Sequence, residues 1–175
     1  TDMKAAENLV DGSFAETYGF YSEGDGGSAK YKIREITNED VVDEMTLIAL
    51  SNNELVAELI ISPEMNVKQF GAKGDGETND TTSIQKCIDT CDSILIPTGT
   101  FMVQANGETL IGDENHKIAN YSGGLHLRDG VTIKGVNRSS SILKAIETEA
   151  QSYNVIRCYN INGATIRDLT ITGDK

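Results

Sequence analysis

The stretch NVKQFGAKGDGETNDTTSIQKCIDTCDSILIPTGTFMV, residues 66–103, decides how the chain is read. Acidic side chains at 75, 77, 80, 89 and 92 lie beside Gly71, Gly74 and Gly76. A catalytic loop, a metal loop and a structural device are the three candidate readings. Spacing separates them. Ile84, Cys87, Ile88 and Cys91 fall at i, i+3, i+4 and i+7, one stripe of a helix over 80–91. Asp80 is its expected N-cap, with Thr81, Thr82 and Ser83 in the first turn. A helix of about three turns does not persist alone in water, so it must lie on an apolar surface. Residues 66–72 read as a short strand, and Gly71, Gly74 and Gly76 allow the sharp turn from it toward the helix. Residues 93–97 read as a buried strand, Thr98–Gly99 as a turn and 100–103 as a second strand. A calcium loop would need EF-hand spacing and a closing bidentate glutamate, which are absent. A phosphate loop would need Gly-Lys-Ser/Thr. Asp75 with Asp80 is a possible carboxylate pair, but acids clustered in a turn are usually solvated.

Outward from this segment the C-terminal part is repetitive. DGVTIKG (129–135) is echoed by NGATIRD (162–168) at an offset of 33, with the β-runs SILKA (141–145) and YNVIRCY (153–159) between. Three short strands per repeat, separated by Gly, Asn and Ser turns, point to a β-solenoid. Residues 104–122 read as a loop or a coil insertion. The first coil of a solenoid has no neighbour and would expose its apolar core and a row of unpaired strand groups. The helix is expected to cover that end. Asp80, Ile84, Cys87, Ile88 and Cys91 form the structural cap and Gly71, Gly74 and Gly76 the structural turn. Burial contributes roughly 1.5–3 kcal/mol for each large side chain.

The N-terminal part has a different texture. Residues 3–10 read as a short helix with Asp2 as N-cap. Ala29, Tyr31 and Ile33 alternate with Lys30, Lys32 and Arg34, a strand with one wet face. Residues 45–50 and 54–61 read as a hairpin around the turn Ser51–Asn53. A small α+β domain is therefore expected over 1–62 and a second region over 66–175, with the boundary at 62–65.

Composition narrows the function. The 175 residues include 17 glycines, two prolines and no tryptophan, and carry a net charge of −12. That charge, with no Lys/Arg run, argues against nucleic acid as partner. No apolar run is long enough for a bilayer span, so no membrane insertion is expected. Cys87, Cys91 and Cys158 read as buried small hydrophobes, because three are too few for a disulfide scaffold. His116 and His126 lack ligand spacing to them, so neither metal nor other cofactor is expected.

The motif at 66–103 closely resembles the opening of right-handed parallel β-helix proteins of the pectate-lyase superfamily. Phe70, Gly71, Ala72, Gly74, Asp75, Gly76, Thr78, Asp80, Thr81, Ile84, Gln85 and Pro97 match it, and Phe101 stands where a tyrosine is common. The segments 9–33 and 47–60 resemble the leader domain ahead of such β-helices in phage tail spikes, tail fibres and appendages. The resemblance implies a mainly β fold: a small α+β domain, then the start of a right-handed parallel β-helix capped by a short amphipathic helix. It implies a homotrimer in the virion tail, joined to a tail or baseplate protein through the N-terminal domain. Host-surface glycan would be bound or degraded by regions beyond residue 175. The Asp and His-Gly motifs of the family's hydrolases, and the calcium acids of its lyases, have no match in this sequence, so no catalytic residue is carried over and enzymatic activity stays open. Asp168 reads as a structural turn position. The end at ITGDK reads as mid-coil, so the chain is expected to be the N-terminal piece of a longer protein. The alternatives are a secreted polysaccharide lyase or glycoside hydrolase, and a non-enzymatic adhesin at the bacterial surface.

Overall fold

The structure, a computed structural model, describes residues 3–51, 54–105, 108–111, 118–121, 124–146 and 154–173, with the backbone alone for 108–111 and 118–121. Asp2, Asn52, Asn53, His116 and the last two residues of ITGDK lie outside them. The chain divides into two compact units, one of Thr1–Ser62 with Lys68–Gly71, the other of Pro63–Val67 with Ala72–Lys175.

The first unit is an antiparallel sheet in the order β1-β2-β4-β3. Its strands are β1 (Phe14–Thr17), β2 (Ala29–Glu35), β3 (Leu47–Ala49) and β4 (Leu55–Leu59). Alternation in β2 buries Ala29, Tyr31 and Ile33 and exposes Lys30 and Lys32. The expected helix over 3–10 is only a 3-10 turn, Met3–Ala5. None of its residues is buried, so no apolar surface extends it. Two aspartates hold the turns. The Asp25 carboxylate accepts from the amides of Phe20, Tyr21, Ser22 and Gly27 at 2.7–3.1 Å. Asp43 accepts from the amides of Met45, Thr46 and Leu47 and from the Thr46 hydroxyl.

The second unit is a parallel β-helix. Its elements are β5 (Met65–Asn66), β6 (Asp75–Asn79), α1 (Thr81–Thr90), β7 (Ser93–Ile96), β8 (Gly99–Val103), β9 (Glu108–Ile111), β10 (Ile118–Tyr121), β11 (Leu125–His126), β12 (Thr132–Gly135), β13 (Ser141–Ala145), β14 (Ile156–Arg157), β15 (Thr165–Arg167) and β16 (Thr170–Thr172). Three parallel ladders stack them: β5-β7-β12-β15, β6-β8-β13-β16 and β11-β14. Thr132 pairs with Thr165 and Ile133 with Ile166, so the repeat in the sequence is the register of the coil. Met65, Ile94 and Ile133 form one buried column, and Phe101 and Leu143 another.

Two expectations in this region need correction. Residues 66–72 are not a strand: β5 ends at Asn66 and a 3-10 turn, Val67–Phe70, follows. The fully buried residues there are Val67 and Phe70, a spacing of three that suits 3-10 geometry and not alternation. The glycine-rich segment is no mere turn, because Asp75–Asn79 is a strand paired to β8 across a register shift. Within 104–122, expected as a loop or a coil insertion, β9 and β10 pair antiparallel. Among the described residues no helix is long and apolar enough to cross a membrane.

Candidate capping site of the coil

Chain order gives each turn of the coil three strand positions, and α1 follows β6 where the third strand of the first turn would stand. The helix buries Ile84, Cys87 and Ile88 completely, and Cys91 just past its end is 3% exposed. Gln85 lies on the helix flank that meets β11. Its Oε1 accepts from the His126 amide at 2.8 Å, and its Nε2 donates to the His126 carbonyl at 3.0 Å. One side-chain amide thus makes the two bonds that a neighbouring strand would make. The other side of β11 pairs with β14. Arg128 holds the opposite end of the helix: its Nε donates to the Ile88 carbonyl at 2.7 Å and its guanidinium pairs with Asp92. A cation at a helix C-terminus also meets the negative end of the helix dipole.

Asp80 is not a side-chain cap. Its carboxylate turns away from the helix and accepts from the amides of Lys73 at 2.7 Å and Gly74 at 3.1 Å. The Asp80 amide donates to the Met102 carbonyl, which ties the turn to β8. Burial pushes the Asp80 carboxyl above its ordinary range, an effect the Lys73 and Gly74 amides partly offset. Asn79 takes the capping role instead, accepting from the amide and hydroxyl of Thr81. Sequence reasoning missed Asn79 and Arg128 and gave Gln85 no role. Asn at the residue before the acid was a legible signal for the first, whereas the other two depend on coil stacking.

Gly71, Gly74 and Gly76 all have positive φ, at 90°, 66° and 81°. The tightest is Gly74, where a Cβ would stand 2.5 Å from the Phe101 ring; at Gly71 a Cβ would stand 2.9 Å from the Phe20 ring. Asp75 accepts from the amides of Glu77 and Thr78 and the Thr78 hydroxyl, bonds that hold its carboxyl down at about 2. Cys87 and Cys91 are free thiols in contact; the hydrogen bond to Cys91, then burial, raises Cys87, which stays a protonated apolar group. Cys158 departs from the expectation for buried cysteines, being exposed. It follows the short β14, and nothing among the described residues covers it. Asp168 sits in the turn between β15 and β16 at φ 59°, paired with Arg167. Among the described residues no cluster of His, Cys, Asp or Glu could hold a metal ion. The arrangement gives the His126 backbone two side-chain bonds from α1, and among the described residues of this site no nucleophile–base pair is formed.

The family model for rhamnogalacturonase A/epimerase, pectate lyase-like proteins matches residues 64–154, just over half of the chain. Mannuronan C5-epimerase AlgE4 of Azotobacter vinelandii is 33% identical over 121 residues, 64% of this chain and 20% of the epimerase. The pre-neck appendage protein of Bacillus phage phi29 is 27% identical over 58% of this chain and 10% of its own length. The tailspike protein gp49 of Acinetobacter baumannii bacteriophage Fri1, a capsular polysaccharide depolymerase, superposes with a TM-score of 0.61 at 15% identity, covering 99% of this chain and 39% of the tailspike. The chain spans a fifth or less of the length of these curated relatives. Its mostly β fold, with parallel ladders, is the fold seen in phage tail spikes. On the strength of the 64–154 match, the chain belongs to the rhamnogalacturonase A/epimerase, pectate lyase-like family.

Proposed function

We propose that this chain is the attachment-side region of a phage tail spike or appendage, whose further β-helix binds or degrades host-surface polysaccharide. The observation that carries this reading is the reach of the tailspike likeness. It extends over 99% of the chain and so takes in the N-terminal unit, whereas the epimerase alignment takes in 64%. In this reading residues 1–62 join the virion, α1 closes the first turn of the coil, and the distal coils face the glycan. Closure by α1 is supported by its three buried side chains and by the two bonds from Gln85 to His126. Tail spikes act as trimers under this proposal. Light scattering on the chain should then give three times the single-chain mass of 18.9 kDa. A stable monomer would count against it.

A second reading has its own support. Identity is higher to the alginate epimerase, at 33%, than to the phage appendage, at 27%. A polysaccharide lyase, hydrolase or epimerase working outside a virion would be monomeric. The full-length protein would then act on acidic polysaccharide as a single chain.

A further inference from the structure

The N-terminal unit contains an open cleft of about 930 Å³, distinct from the cap and unused by it. The volume is at the upper end of the ~300–1,000 Å³ typical of ligand clefts. Three features define what it could take. First, it reaches a strand edge. Residues 15–17 of β1, Tyr31 of β2 and Ile48 of β3 line it, so it crosses one face of the sheet from the β1 side. Among the described residues β1 is the terminal strand of its sheet, paired with β2, and because Ala15 and Glu16, which point to opposite faces, both line the cleft, its rim includes the edge of β1. An edge offers main-chain donors and acceptors to an extended chain.

Second, the wall is aromatic and held in place. Tyr18, Phe20, Tyr21 and Tyr31 line the cleft. Tyr18 is 73% exposed and Tyr21 60%, while Tyr31 is buried. Phe20 and Tyr21 meet edge to face with centroids 4.8 Å apart. Their amides are bonded to the Asp25 carboxylate, and the Tyr21 hydroxyl donates to the Gly71 carbonyl. The Phe20 and Tyr21 rings therefore cost little ordering on binding. Third, the charge is one-sided. Glu16, Glu23 and Glu44 line the cleft with a single cation, Lys4, which is itself paired to Glu44. Aromatic faces beside carboxylates suit an ammonium or guanidinium group.

We propose that this cleft binds an extended, lysine- or arginine-bearing segment of a partner protein, added along the edge of β1. The inference deepens the attachment reading, because it gives the chemistry of the partner that the N-terminal unit would join. The strand edge favours a peptide over a glycan, which has no main-chain amides to pair. The carboxylates favour a basic peptide over an acidic one.

The test is a titration of the chain with fluorescein-labelled hexa-arginine, followed by anisotropy at about 0.15 M salt, where exposed charges beyond about 8 Å are screened. Fluorescein-labelled hexaglutamate is titrated separately as the acidic probe, and the neutral sugar maltohexaose serves as competitor. Saturable binding of hexa-arginine is expected, undisplaced by maltohexaose, with no saturable binding of hexaglutamate; equal binding of the two labelled peptides would overturn the proposal. Tyr18→Ala should weaken it about tenfold by loss of a cation–π face. Glu23→Gln, an exposed change that leaves the fold intact, should weaken it roughly threefold. Glu77→Gln on β6, in the other unit, should leave it unchanged. Absence of saturation, equal loss in Glu77→Gln and Glu23→Gln, or displacement by maltohexaose would each overturn the proposal. None of these outcomes alters the light-scattering mass, so the attachment reading fails or stands separately.

Discussion

The two units of this chain solve the same problem, tying short strands together, by opposite routes. In the N-terminal unit the pairs β1-β2 and β3-β4 join strands that are neighbours in sequence, all antiparallel. Local carboxylates, Asp25 and Asp43, organise its turns. In the coil most pairs are parallel, and Ile94, Ile133 and Ile166 meet only after a full turn of chain. Its strands are as short as two residues, as in β11 and β14. An antiparallel hairpin is stabilised from its first contacts, whereas a parallel coil pays loop-closure entropy before any ladder forms. On the capping proposal the coil should then depend on what closes its first turn, and the N-terminal unit on its turns.

That contrast can be broken by four measurements, taken from the largest expected effect to the smallest. Ile88→Ala empties a fully buried position between α1 and the coil. Urea unfolding should show a loss of about 2–5 kcal/mol, with β2 amide protection unchanged. A loss below about 1 kcal/mol would show that the coil does not rest on the helix. Asp25→Ala removes one acceptor from four amides of the 20–27 loop. A cost of about 1–2 kcal/mol is expected, with faster hydrogen exchange at those amides and none in the coil. Gln85→Ala leaves the His126 backbone without its two bonds. The expected cost is about 1–2 kcal/mol, accompanied by faster exchange of the His126 amide and by self-association through the opened β11 edge. An unchanged exchange rate would remove Gln85 from the account of the cap. The smallest effect concerns acid. The Asp75 carboxyl lies at about 2, below its ordinary 3.8, so its contribution is present above the ordinary value and lost as pH falls through about 2. Asp75→Asn should flatten the stability profile between about pH 4 and pH 2. A profile as steep as that of the unaltered chain would assign the acid sensitivity elsewhere.

Much of this was legible in residues 66–103. The stripe Ile84, Cys87, Ile88 has the period of a helix, and a helix that short needs an apolar bed. The offset between DGVTIKG and NGATIRD is a register, because a coil repeats its chain length once per turn. Alternation in Ala29–Ile33 is a sheet with one dry face. The errors came where local preference and context disagree. Residues 3–10 have helix-forming residues but no apolar surface beneath them, and Val67–Phe70 look like a strand yet bury residues three apart.

Sequence alone settled the inward stripes of α1 and β2, since periodicity is a property of the chain, but not Cys158, which is exposed. It also settled the need for glycine at 74, although the reason, the Phe101 ring 27 residues away, is spatial. Only the tertiary structure decided where polar groups send their bonds. Asp80 reads as a helix cap by its position and residue type, but its carboxylate is closer to the amides of Lys73 and Gly74. Gln85 matches the family motif in the sequence, but its role shows only once β11 lies beside it. A hydrogen bond is short-ranged and directional, so its partner is chosen by whichever segment the fold brings within about 3 Å.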